Sequence, residues 1–187
     1  MSAAKLAALM LAAVLTACSS PNPVLYTIAP VQGPVQPGGP KVIVLQQIST
    51  AHYLERSQIV RSSENYRLDV MSNDWWGEPL SAMLSRVLTE ELGQRLPQST
   101  VIGETGAVSA SPDATVELNV QRLDEDVSGN VVLQAQASVS VKGRPPVLRS
   151  FRFVVPPPTP DIHGEVTAIS IAVGQLADGL ASMLVGR

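Results

Sequence analysis

The chain predicts an α+β fold: a single domain with a mostly antiparallel sheet and two main amphipathic helices packed on it. Three observations carry this. Val116, Leu118 and Val120 alternate with Glu117, Asn119 and Gln121, and a period of two returns over Val131 to Val141 and Val147 to Val155. Two apolar stripes have spacings of three and four, from Leu80 to Leu96 and from Val166 to Leu184. Proline-rich breaks at Pro30 to Pro40 and Pro156 to Pro160 set the patterned segments apart.

Residues 1–17 form a secretory signal, with Lys5, an apolar stretch from about Leu6 to Leu15, and small residues before a cleavage point. The run Leu15-Thr16-Ala17-Cys18 is a lipobox, and Cys18 is the only cysteine. The mature chain is expected to begin at Cys18, thioether-linked to diacylglycerol and acylated on its amine, for example with palmitate. At roughly 0.8 kcal/mol per buried methylene, two or three chains make a lasting anchor. The apolar run is too short to span a bilayer as a helix. Ser19 stands where Gram-negative lipoproteins retained at the inner membrane carry Asp, which favours the outer membrane and its periplasmic face.

Removing residues 1–17 takes away Lys5 and no acid, so the mature chain is one unit more negative than the −3 of the full sequence. Its basic residues are scattered, which argues against nucleic-acid binding. With Cys18 acylated no thiol remains for a disulfide, so stability must come from packing.

Residues 18–40 read as an acylated N-terminus and a Pro/Gly-rich tether, and 41–187 as the periplasmic domain. Within the tether, Val24 to Ile28 is β-prone and either adds an edge strand or stays extended. Fully extended, residues 19–40 would hold the domain on the order of 70 Å from the membrane.

Lys41 to Ile48 suits a central strand buried on both faces. Gln58 to Arg61 and Tyr66 to Val70 pair as a hairpin around Ser62 to Asn65. The Leu80 to Leu96 stripe is a helix that opens after Pro79 and stops at Pro97. Residues 100–103 form a short strand, and Gly103 to Pro112 a surface loop. The three long strands form a meander with one wet face, turning at Ser128-Gly129-Asn130. The C-terminal stripe covers the sheet, with a helix contact between subunits as the lesser alternative.

Catalytic constellations are missing from the sequence. His52 and His163 have no metal-ligand spacing, and neither a Gly-x-Ser-x-Gly elbow nor a phosphate-binding loop is present. No cofactor, metal site or enzymatic activity is expected. Asp124, Glu125 and Asp126 read as a solvated hairpin turn rather than a calcium site.

The segment Tyr53-Leu-Glu-Arg56-Ser-Gln-Ile59-Val60-Arg61, followed by Trp75-Trp76-Gly-Glu78-Pro79-Leu80 at the head of a leucine-spaced helix, is more specific. With the lipobox, it resembles the PqiC/YmbA-type auxiliary lipoproteins of ABC transport systems. The resemblance implies a non-enzymatic outer-membrane lipoprotein working with an MCE-domain protein and inner-membrane transporter subunits. Such a protein moves phospholipid or other apolar molecules between membranes, docks the channel at the outer membrane, and supports envelope integrity. Homo-oligomeric rings would suit that task. The alternatives are a structural or assembly lipoprotein of an envelope complex and a solitary periplasmic carrier of an apolar ligand.

On their own chemistry, Tyr53, Trp75 and Trp76 suit either a partner hot spot or a lipid-facing lip. Trp76 equally suits a hydrophobic staple at the helix start. Arg56 and Arg61 suit acidic partner residues or lipid phosphates, or ion pairs with Glu55, Glu64 or Glu78 inside the domain.

Overall fold

The computed structural model describes residues 22–62, 66–104 and 110–186. The expected signal, residues 1–17, and Cys18 lie outside the described residues, as do 63–65 of the expected hairpin turn and 105–109 of the expected loop.

The strands are β1 (Val24–Tyr26), β2 (Val42–Leu45), β3 (Ser49–Thr50), β4 (Gln58–Ser62), β5 (Leu68–Trp76), β6 (Thr100–Gly103), β7 (Ala114–Glu125), β8 (Val131–Val141) and β9 (Val147–Val155). A 3₁₀ turn spans His52–Glu55, and the helices are α1 (Leu80–Arg95) and α2 (Ile162–Val185).

The large sheet runs β6-β2-β7-β8-β9, with β3 also on β7. The meander β7-β8-β9 is antiparallel as expected, whereas β2 pairs parallel with both β6 and β7. The sheet is therefore mixed. A parallel return needs a long crossover, and the chain between β2 and β6 supplies one that includes α1.

Strand β2 is shorter than the apolar run and buries only Ile43 and Leu45 fully, so it is one-sided rather than covered on both faces. In β7 the register shifts between Val120 and Arg122, which keeps Leu123 in the buried row after Val116, Leu118 and Val120. The same bulge turns Arg122 and Asp124 to the opposite face.

Both helices pack on the core face. Helix α1 buries Leu80, Met83, Leu84, Val87, Leu88 and Leu92. Pro79 stands immediately before its first residue, where its missing N–H removes no helical bond. Helix α2 has 24 residues, about 36 Å at 1.5 Å per residue, and is longer than the stripe alone predicts. It is long and apolar enough to cross a membrane, yet 67% of its most apolar window is buried inside the domain, as in a core helix. Asp161 caps its start by accepting from the Gly164 N–H at 2.8 Å. Gly186, at φ 81°, closes its end, and Arg144 donates to the Leu184 carbonyl there. Gly179 lets Phe151 of β9 approach the helix backbone, and any side chain at that position would collide with the ring.

Candidate interaction surfaces

The small sheet, ordered β1-β5-β4, carries Arg61, Trp75 and Trp76, three of the six residues singled out in the sequence. The β-prone segment near the N-terminus does dock: β1 lies parallel to β5, with Val24 opposite Asp74, Leu25 opposite Trp75 and Tyr26 opposite Trp76. Side chains alternate between faces along both strands, so the two tryptophans part company. Trp76 enters the core at 7% exposure, where the staple role belongs rather than a surface role. Trp75 stays at the surface, half-buried, with its indole N–H donated to the Ser72 carbonyl at 2.9 Å. Beside it Leu25 is 63% exposed.

Tyr53 faces inward to a polar cluster. Its hydroxyl donates to Asp124 Oδ2 at 2.5 Å, and Asp124 Oδ1 accepts from the Ser62 hydroxyl and the Arg122 guanidinium. Burial, then the adjacent carboxylate, raises the Tyr53 pKa well above its usual value. Asp124 is 1% exposed, so the acidic run is not simply a solvated turn. Only Asp126 does turn chemistry, accepting from the Ser128 and Asn130 N–H groups. The bulge in β7 aims Asp124 at β4, and partners far away in the sequence complete its bonds.

Arg61 pairs with Glu165 at 2.6 Å and with Glu125 at 3.6 Å, not with Glu55 or Glu78. The first turn of α2 carries Glu165 to this spot. Burial pushes the Glu165 carboxyl up to about 7 against the pull of Arg61. Glu78 accepts from Arg86 of α1, which also donates to Thr27 just after β1. Arg56 is exposed and makes no ion pair or hydrogen bond among the described residues.

The Pro/Gly-rich stretch differs from a free tether. Proline removes ladder donors, but its neighbours find partners on the helices. The Ala29 N–H donates to Ser170 Oγ, Val31 N–H to Glu91 Oε1 and Gln36 N–H to the Arg95 carbonyl. Arg95 is buried and donates to the carbonyls of Val31 and Gly174 and to Asp178. Residues 28–40 thus form a strap across α1 and α2. Desolvation pushes the Glu91 carboxyl beneath it up to about 7.

The opposite face of the large sheet is uncovered. Glu117 and Asn119 of β7, Gln136 and Ser138 of β8, and Leu148 and Ser150 of β9 line an open groove of about 520 Å³. β9 ends the sheet, leaving its outer edge without a strand partner among the described residues. The wet face was legible from strand alternation. Leu25, Glu91, Arg95 and Glu165 were not singled out, and Asp124 reads in the sequence only as part of a turn, because their roles depend on long-range packing.

Exposed His52 lies 3.3 Å from Glu55, and no cluster of three or more His, Cys, Asp or Glu that could hold a metal occurs among the described residues.

A crystal structure of an uncharacterized protein superposes with a TM-score of 0.75 at 16% identity, covering 87% of this chain and 99% of that one. A protein from Xanthomonas campestris gives a TM-score of 0.71 at 16% identity, covering 87% of this chain and 94% of that one. Both likenesses establish the fold alone. No curated protein matches the sequence. The family described as ABC-type transport auxiliary lipoprotein component matches residues 25–181, from β1 into the last turns of α2, and the chain belongs to that family.

Proposed function

We propose that this auxiliary component is held at the periplasmic face of the outer membrane through acylated Cys18. There it docks an MCE-domain channel of an ABC-type phospholipid transport system and so supports envelope integrity. Family membership spanning nearly the whole described domain carries the reading. The uncovered polar face of β7, β8 and β9 supplies a surface of the right kind for a protein partner, being broad, hydrogen-bonding and little charged. The inner-membrane transporter subunits then lie at the far end of the assembly. Several copies around one channel would form a closed homo-oligomeric ring.

As an auxiliary transport component the chain is not an enzyme. The sheet groove is open and has Gln, Asn and Ser side chains along it beside Leu118 and Leu148, unlike the enclosed apolar chamber that a solitary carrier requires.

The test is a photo-reactive side chain at Ser150, on the open face, in cells that make the natural envelope. The expected product is a crosslink to an MCE-domain protein. Crosslinks that appear only from exposed Gln175, on α2, would move the docking surface to the helical side.

A further inference from the structure

We infer that the free edge of the small sheet, Val24 and Leu25 of β1 with Trp75 of β5, rests on the phospholipid surface that holds the acylated N-terminus. This inference rests on the reading of Cys18 as the anchor. Five residues lie between Cys18 and Val24, and the six Cα-to-Cα steps that they span reach about 20 Å when fully extended. Because β1 is fixed on β5, and the strap after it is fixed on α1 and α2, none of the following chain adds to that reach. The domain is therefore held close to the bilayer, with β1 as the nearest described strand.

The residues at this point suit a lipid surface. Val24 is 53% exposed and Leu25 63%, and the partly exposed indole of Trp75 sits beside Leu25 in register. An indole at an apolar rim is the side chain that membrane interfaces favour. Charge there is nearly balanced. Asp74 pairs with Val24 in register, and unpaired Arg56 lies two residues before Gln58, the register partner of Trp75. Glu78 and Arg86 neutralise each other nearby. A balanced, apolar rim matches a zwitterionic phospholipid surface better than an acidic or basic protein.

The full acylated protein, reconstituted into vesicles of phosphatidylethanolamine with some phosphatidylglycerol, gives the test. Trp76→Phe leaves Trp75 as the only indole, and Trp75→Phe leaves Trp76. Vesicle flotation reports the anchor, and quenching by lipids brominated near the headgroup reports the rim. The inference predicts flotation, strong lipid quenching of Trp75, and little quenching of Trp76. Leu25→Asp, on the same Trp75-only background, should reduce quenching at least twofold while leaving the cooperative melt unchanged. Flotation with Trp75 as open to aqueous iodide as in the unacylated Cys18→Ser protein would overturn the rim contact and leave the anchor standing. Failure to float would overturn both, since the rim would have no membrane to rest on.

Discussion

The guanidinium of Arg95 fills the space that a side chain on Gly33 would need. One residue is on α1 and the other is in the Pro/Gly-rich strap, and the guanidinium is held by Val31, Gly174 and Asp178. A buried group bound on three sides has little room to yield. Gly33→Ala should therefore destabilise the domain by about 1 to 3 kcal/mol, measured by urea unfolding. Cleavage within residues 29–40 should also become faster in limited proteolysis. A free tether would tolerate the same change without effect.

Glu91 links that strap to pH. Its carboxyl is fully buried, one oxygen accepts from the Val31 N–H, and the other has no partner among the described residues. Desolvation raises its pKa from 4.5 to about 7. The folded state then holds this proton more tightly than the unfolded chain. The stabilisation is complete below pH 4.5 and is lost as pH rises through about 7. Glu91→Gln keeps an acceptor for Val31 without the charge. It should leave stability near pH 4 almost unchanged and raise it at pH 8 by on the order of 2 kcal/mol. Equilibrium unfolding of both proteins at the two pH values is the check.

The two adjacent tryptophans should behave oppositely. Trp76→Ala removes a buried ring from the core and should cost about 3 to 5 kcal/mol. Trp75→Ala, at the surface, should cost less than about 1 kcal/mol. Urea denaturation followed by circular dichroism separates the two without relying on tryptophan fluorescence.

Asp124 collects bonds from Tyr53, Ser62 and Arg122. Tyr53→Phe deletes one donor and should cost about 1 to 2 kcal/mol. Asp124→Ala strands all three partners and should cost more, about 3 kcal/mol. Similar losses from the two variants in thermal or urea unfolding would mean that the carboxylate is held by the Tyr53 bond alone.

Much of this architecture is legible in local sequence. The alternation from Val116 to Val155 and the stripes of α1 and α2 are short-range patterns that survive folding, because each faces a single core. Strand β5 is less legible beyond Val70. It bulges through Met71 to Asp74 opposite Ile59, so no clean period of two marks its path to Trp76. The docking of the strap is hidden for another reason. Prolines announce the absence of ladder bonds, while the groups that bind the strap, Glu91, Arg95 and Ser170, come from helices 60 to 141 residues away. Asp124 looks like turn chemistry until the bulge at Gln121 and distant Tyr53 give it an interior. Among the six residues marked for a surface role, the packing leaves Arg56, Trp75 and Glu78, the last in an exposed pair with Arg86, at the surface and commits Tyr53, Arg61 and Trp76 to contacts inside the domain.

The central claim, that this auxiliary component serves an MCE-type lipid transport system, is tested most directly by mild crosslinking in the native envelope. Mass spectrometry would then identify the proteins and lipids that co-purify with the acylated chain. The account predicts an MCE-domain protein together with phospholipid. Phospholipid recovered with a monomer and no transport subunit would contradict it in favour of a solitary carrier, and other envelope proteins without lipid would contradict it in favour of a purely structural lipoprotein.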